Sequence, residues 1–255
     1  MDFKSAVKNH CLNLDNLGIK CDQMRIESQV ESWKDWSALG DIEDTISWFH
    51  TQKEERALEI EDIPILECRG WSIDPNTGWI SHKSKEFFVV QGIRVSKSGT
   101  REVGQSGWDQ PILTQVGYNG GILGLIRKYI GGVPYYLVEA KAEPGNPDEV
   151  QISPTLQATF SNLNKAHGGT KPKFSEYFED TDVRKECKIL FEQWMSEDGG
   201  RLHLKRNKGM LVQVPEYITI EVPEGFRWVT LYQLKKLIKM NSWVNPHVRG
   251  IISHL

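Results

Sequence analysis

Several things are missing from this sequence, and each absence narrows what the chain does. It has no run of about 18 apolar residues, so no membrane-spanning helix is expected. It has no basic excess: 31 Lys and Arg stand against 34 Asp and Glu, for a net charge of −3. A nucleic acid as principal partner needs a basic field, which argues against that class. A local basic pocket for a phosphorylated small molecule stays compatible with the total. Only four cysteines occur, Cys11, Cys21, Cys68 and Cys187, with no C-x-x-C pair and none at metal spacing from a histidine. They read as reduced thiols, and a cytoplasmic location is expected. The opening "MDFKSAVKNHCLNLDNLG" carries no apolar h-region, so no signal peptide is expected there. There is no G-x-G-x-x-G before a helix, no P-loop, no H-E-x-x-H and no G-x-S-x-G. Nicotinamide binding, Walker-type hydrolysis, zinc proteolysis and α/β-hydrolase chemistry therefore find no support, and neither a cofactor nor a metal is expected.

What is present is an ordinary globular balance. The 255 residues are 39% hydrophobic and 25% charged, enough for one large domain or two small ones with a sizeable core. Nine tryptophans and seven tyrosines are a rich aromatic supply. Core packing is their usual use, and a flat surface for a nucleobase is the other.

Residues 1–60 read mainly as helix. In "IEDTISWFHTQKEERAL" Ile42, Ile46, Phe49 and Leu58 recur at helical spacing, with Asp41 or Asp44 placed to cap the start. "VESWKDWSAL" is a second, shorter candidate. From residue 63 the pattern changes to short apolar runs and turns. "DPNTG" (74–78) between "GWSI" and "WISH" is a hairpin signal. "EFFVVQGIRV", "PILTQ" and the two halves of "GILGLIRKYIGGVPYYLVEAKAE", joined at Gly131-Gly132, read as strands. "SPTLQATFSNLNKAHGG" reads as a helix with Ser153 at the N-cap, Pro154 at N1 and Gly168 at its end. "DVRKECKILFEQWMSEDGG" reads as another helix, "RLHLKRNKGMLVQVP" and "EYITIEV" as strands, and "TLYQLKKLIKM" as an amphipathic helix. The order points to an α+β fold with one mixed or antiparallel sheet system: an N-terminal helical arm over 1–60 and one globular unit over 61–255.

Along the strand "LVEAKAE", Glu139, Lys141 and Glu143 share one face, and Val138, Ala140 and Ala142 share the other. A solvent-facing edge with weak ion pairs and the floor of a site both satisfy this pattern. The following "QISPTLQATFSN" crowds Gln151, Thr155, Gln157, Thr159, Ser161 and Asn162 together, although these are mediocre helix formers. Neutral donors and acceptors of this kind suit sugar hydroxyls; a polar, water-facing helix is the plain alternative. In "SGWDQP", Trp108 and Gln110 sit in a loop before a strand, a placement that suits ligands as well as packing. His82 and His167 are the best-placed histidines for acid or base work near neutrality.

Taken in order, "GWDQPIL-Q", "AKAEPGN", "VQISPTLQATFSN", "HGG" and "WVTLYQL" resemble the NDP-hexose 2,3-dehydratases of deoxysugar biosynthesis. The resemblance covers residue 42 to the C-terminus. It implies a Nudix-like α/β/α sandwich with a mixed sheet and a nucleotide-linked, usually dTDP-linked, 4-keto-6-deoxyhexose as substrate. No G-x5-E-x7-R-E-x-x-E-E box occurs here, so the glutamates of a metal-dependent Nudix hydrolase are absent. Members of this family usually carry two copies of the unit in tandem. One copy is found in this chain, so a homodimer is expected.

The reaction that the resemblance implies starts at C3, whose proton the C4 ketone makes acidic. A base removes it, an enolate forms on the C4 oxygen, and the C2 hydroxyl leaves with help from an acid. The resulting enol tautomerises to a 3,4-diketo-2,6-dideoxy sugar, which a downstream 3-ketoreductase is expected to take up. Glu139, Lys141, Glu143, His82 and His167 are the candidate acids, bases and enolate stabilisers. Trp108, Gln110, Gln151, Thr155, Gln157, Ser161 and Asn162 are candidates for the sugar or base, and Arg201, Lys205 and Arg206 for the pyrophosphate. A noncatalytic sugar-nucleotide-binding subunit and an atypical Nudix-like hydrolase are the competing readings.

Overall fold

The central hairpin follows directly from its sequence. Two ten-residue strands, β5 (Gly121–Ile130) and β6 (Val133–Ala142), meet at Gly131 and Gly132, whose φ values of +59° and +80° give the turn its left-handed conformation. Such a two-residue turn matches the twist of the strands it joins. The computed structural model describes residues 1–96, 107–117, 120–164 and 170–255. Before the hairpin come three helices, α1 (Phe3–Asn16), α2 (Gln23–Glu31) and α3 (Ile42–Arg56). They are followed by an antiparallel four-stranded meander of β1 (Trp71–Ile73), β2 (Ile80–His82), β3 (Val89–Val95) and β4 (Trp108–Thr114). After it come β7 (Val150–Pro154), β8 (Leu156–Thr159), α4 (Phe160–Leu163), α5 (Asp182–Glu186), β9 (Lys188–Ser196), β10 (Arg206–Val214), β11 (Phe226–Val229), α6 (Leu231–Leu237) and α7 (Pro246–Ile252).

The larger sheet runs β11-β6-β5-β10-β9, with β7 on β6 and β8 on β5. It is mixed: β10 pairs with β5 in parallel, and the other ladders are antiparallel. Side chains alternate across it with period 2. Leu123, Leu125, Tyr136, Val138, Ala140 and Leu211 pack on one face against α3, α6 and α7, through Phe49, Leu231, Leu234, Leu237, Val248 and Ile251. Ile122, Ile126, Leu137, Met210, Val212 and Phe226 pack on the other, against Leu163, Phe174, Tyr177 and Phe178. The architecture is α+β around a mixed sheet. No described helix is long and apolar enough to cross a membrane.

The sheet is split. The β5–β6 ladder ends at the Ile126–Leu137 pair, beyond which the strands diverge. β7 then follows β6 from Val138, and β8 follows β5 back from Gly124. Thr155, the residue between them, sits at the fork. Its hydroxyl donates to the Leu137 carbonyl and accepts from the Ile126 N–H at 2.9 Å.

Four expectations need correction. Val150–Pro154 and Leu156–Thr159 are strands, not helix; among the described residues of that segment only Phe160–Leu163 is helical, and Gly168, the expected helix end, lies outside the described residues. Leu156, Phe160 and Leu163 fit a helical spacing, but Thr- and Ile-containing segments gain more by filling the split sheet. Ser153 is accordingly a buried strand residue and not an N-cap. Residues 182–200 give one short helix and then edge strand β9, whose exposed, charged surface imitates an amphipathic helix. "EYITIEV" is not a strand; the Lys128 ammonium donates to the carbonyls of Pro215, Glu216 and Ile218 at 2.7–2.8 Å and gathers that loop around itself. Near the N-terminus the second helix lies at Gln23–Glu31, and residues 32–39 of "VESWKDWSAL" lie beyond it, with Trp36 Nε1 donating back to the Val30 carbonyl.

The N-terminal helices are tied to the sheet by buried charge. Arg127, 1% exposed, donates to Glu27 at 2.8 Å and to Glu31 at 2.7 Å, while Tyr136 donates to Glu31 at 2.8 Å. Burial pushes the Glu31 carboxyl up despite the guanidinium beside it.

Candidate active site

Where β5 and β6 diverge, two cavities of about 390 and 310 Å³ open over residues 155–159, and Lys141 and Gln157 line both. The first is bounded by Arg56, Glu139, Thr155, Leu156, Lys173, Glu224 and Phe226. The second is bounded by Phe88, Glu143, Thr159, Asn162, Glu197, Lys205, Asn207 and His247, with Leu123 and Ala158 beneath.

The alternation along β6 explains the first wall. Val138 and Ala140 are fully buried against the helices, so Glu139 and Lys141 face the opposite side. Glu139 lies opposite Phe226 on β11, at the margin of the apolar cluster there. Burial pushes its carboxyl above the ordinary range; Lys141, Arg56 and Lys173 pull it down, and Glu143 adds to the rise. Lys141 Nζ lies 3.3 Å from Glu143 Oε1, and Gln157 Nε2 donates to the same oxygen at 3.0 Å. Gln157 is in turn oriented by Asn245, the N-cap of α7. Asn245 Oδ1 accepts from the Val248 N–H at 3.0 Å, while its Nδ2 donates to Ser153 Oγ at 2.9 Å and to Gln157 Oε1 at 3.3 Å. Glu143 thus accepts from Gln157 beside the Lys141 ammonium, and Glu139 is the carboxyl whose proton affinity burial raises.

Arg56, in the last turn of α3, reaches the cavity across Gly225. A Cβ on Gly225 would lie 2.3 Å from the guanidinium, and the residue has a φ of +83°. Gln52, buried on the preceding turn, accepts from Arg56 Nε at 2.7 Å. Arg56, Lys141 and Lys173 thus face one cavity beside Glu139 and Glu224, an arrangement able to receive a doubly charged anion.

The remaining candidates fall into three groups. Asn162 and Lys205 line the second cavity; Lys205 is also bonded to Gln115, lies 5.4 Å from the Phe88 ring centroid, and has its ammonium pushed down by burial. Thr155, Gln151 and Ser161 are buried with their polar groups engaged: Thr155 at the fork, Gln151 donating to the Ser242 carbonyl at 2.7 Å, and Ser161 paired with Thr159 at 2.7 Å. They hold the floor in shape. His82, Trp108, Gln110, Arg201 and Arg206 line neither cavity. His82 lies among Trp71 and Phe87 on the small sheet, bonded to Ser84 at 2.8 Å. Trp108 and Gln110 stand in β4 itself and not in a loop before it; Trp108 donates to Gln110, which donates to the Gly200 carbonyl at 3.0 Å. Arg201 pairs with Asp198 before β10 begins, in a turn and not in the expected strand, and Arg206 lies over the Trp194 ring at 4.6 Å. His167 lies outside the described residues. The residues that sequence reasoning did not reach, Arg56, Lys173, Glu197, Asn207, Asn245 and His247, come from segments distant in the chain. Only the Asn245-Pro246 helix start carries a local signal.

Fold and cleft together describe an α+β protein whose polar groups converge over a split sheet. The family follows from comparison: residues 42–255 match the profile described as NDP-hexose 2,3-dehydratase, and the chain belongs to that family. It is 34% identical over 215 residues to a dTDP-4-dehydro-6-deoxy-alpha-D-glucopyranose 2,3-dehydratase of Amycolatopsis orientalis, covering 84% of this chain and 44% of that protein. A protein of the same name from Saccharopolyspora spinosa is 35% identical over 206 residues, covering 81% of this chain and 40% of that protein. The chain thus spans less than half the length of these curated relatives. Among solved structures, an ADP compounds hydrolase aligns with TM-score 0.38 and 10% identity over 65% of this chain and 83% of its own. A C. elegans Ap4A hydrolase aligns with TM-score 0.29 and 13% identity over 53% and 95%. At these scores the likeness carries no argument of its own.

Proposed function

We propose that this chain is a sugar-nucleotide 2,3-dehydratase that removes the C2 hydroxyl of a dTDP-linked 4-keto-6-deoxyhexose. The observation that carries the reading is Glu139: a carboxyl with its proton affinity raised by burial, beside an ammonium, in a cleft that lies within the residues matching the family. A base working near neutrality needs such a rise. In this reading Glu139 takes the C3 proton and Lys141 stabilises the enolate that develops on the C4 oxygen. Gln157, Asn162 and the Thr159 hydroxyl receive the sugar, and Arg56 with Lys173 receives the diphosphate in place of Arg201 and Arg206. The working unit is residues 61–255, with the arm of residues 1–60 supplying Arg56. The four free thiols suit a reducing compartment, and we place the protein in the cytoplasm. A 3-ketoreductase consuming the diketo product and a two-fold pairing of identical chains complete the proposal.

One observation favours a second reading. The chain spans less than half of its curated relatives, so a noncatalytic sugar-nucleotide-binding unit of the same fold is the competitor. Incubation with dTDP-4-keto-6-deoxyglucose in deuterated water, with a 3-ketoreductase and NADPH to trap product, separates them. Loss of the C2 oxygen with deuterium incorporated is the expected result. Tight binding with the substrate recovered intact and unexchanged refutes turnover, and dTMP released only with added metal indicates a hydrolase. Analytical ultracentrifugation tests the pairing, and a fully active monomer overturns it.

A further inference from the structure

The second cavity holds a group of side chains that the reading above leaves unused. His247, the second residue of α7, lines it together with Glu197, just beyond β9, and Asn207 on β10. His247 Nδ1 lies 3.9 Å from Glu197 Oε1, and the buried Asn207 amide donates to that same oxygen. Three separate elements therefore converge to fix one carboxylate beside one imidazole. Both are partly exposed, with side chains 22% and 20% accessible, so the imidazole is within reach of a ligand while its partner stays held.

We propose that His247, positioned by Glu197, is the acid that protonates the departing C2 oxygen; the assignment rests on the dehydratase reading. Elimination needs a base for the C3 proton and an acid for the hydroxyl on the adjacent carbon. Glu139 occupies the first cavity and His247 the second, with Lys141 and Gln157 common to both. A sugar seated at that shared boundary meets the base on one side and the acid on the other. The other proton carriers of the second cavity are committed. Glu143 accepts from Gln157 at 3.0 Å and pairs with Lys141, and the Lys205 ammonium is bonded to Gln115. Glu143, Glu197, Lys141 and Lys205 are the charged groups lining the cavity around His247. An imidazolium is an acid of suitable strength near neutral pH.

The step balances without a redox partner. The base takes the C3 proton and leaves its electron pair in the enolate. That pair forms the C2–C3 double bond as the C2–O bond breaks, and the leaving oxygen takes the imidazolium proton and departs as water. Tautomerisation of the 3-hydroxy enone then moves a proton from the C3 oxygen to C2 and yields the 3,4-diketone.

The test separates exchange from elimination. With dTDP-4-keto-6-deoxyglucose in deuterated water, His247→Gln and His247→Asn are expected to keep dTDP binding and exchange at C3, while elimination falls by about 10²–10⁴-fold, the usual contribution of a general acid. Glu197→Gln is expected to lower kcat for elimination by less than the His247 variants do, with KM and C3 exchange unchanged, because the imidazole keeps a polar neighbour but loses its carboxylate. Equal loss of exchange and elimination in the His247 variants, or undiminished elimination, overturns the proposal. An unchanged kcat for elimination in Glu197→Gln removes the positioning role and does not depend on how the His247 variants fold. A wild-type chain that binds dTDP but neither exchanges nor eliminates defeats the dehydratase reading itself, and the acid assignment with it.

Discussion

Thr155→Val is the sharpest test of the split sheet. The two side chains have nearly the same shape, so no cavity is created and the change isolates the hydroxyl. That hydroxyl, on a residue only 2% exposed, serves Ile126 N–H and Leu137 C=O where the β5–β6 ladder ends. Valine leaves the amide without this acceptor in a site closed to water, at about 1–3 kcal/mol, and removes the bond to the carbonyl at about 1 kcal/mol more. The expected loss is thus about 2–4 kcal/mol, read from urea unfolding followed by tryptophan fluorescence. Thr155→Ser, which retains the hydroxyl, should recover most of it. Because the hydroxyl faces backbone and not substrate, folded Thr155→Val protein should bind dTDP with little change in affinity. A loss of stability below about 1 kcal/mol would refute the fork. Full stability with abolished binding would return Thr155 to the ligand-binding role read from the sequence.

Three further outcomes are expected. Glu139→Gln should abolish C3 exchange while improving the chain's relative stability towards neutral pH. The wild-type carboxyl holds its proton more tightly folded than unfolded, so the native state loses stability as pH rises from the ordinary value of 4.5 through the folded one, and glutamine does not titrate. Melting curves of both proteins across that range check the sign. Gly225→Ala must place a Cβ against the Arg56 guanidinium at a φ of +83°, costing about 1–2 kcal/mol and weakening dTDP binding by calorimetry as Arg56 is displaced. Arg127→Met leaves Glu27 and Glu31 facing each other without a cation, with an expected cost of about 3–5 kcal/mol at neutral pH that shrinks in acid as the carboxyls take protons. A deficit that does not vary with pH would refute the charge argument.

Local chemistry made the central hairpin, α3 and α6 legible in the sequence. Their signals are a Gly-Gly turn, an aspartate cap at Asp41 and a leucine stripe, each belonging to a single segment. The segment 150–159 was not legible as strand, because its two strands are short and Leu156, Phe160 and Leu163 also fit a helical period. What decides between the readings is a gap in the sheet that only the folded chain possesses. The same division runs through the site. Glu139, Lys141 and Glu143 stand at alternate strand positions and could be picked out together, whereas Arg56 and His247 reach the cleft from opposite ends of the chain. Gln151, Thr155 and Ser161 were visible as polar residues, but nothing local reveals that their groups are already engaged by the backbone and neighbouring side chains.

The fork at Thr155 has a consequence for how such a protein diversifies. Beyond the fork the cleft floor is encoded by one uninterrupted stretch, 155–159, while Val150 and Ile152 just before it belong to the core packed on the helices. Changing Thr159 or Gln157, which are only partly buried, with Thr155 retained, alters the surface offered to a ligand without touching the buried residues that face the helical layer. What the cleft accepts can thus be altered at a few neighbouring codons without disturbing the core.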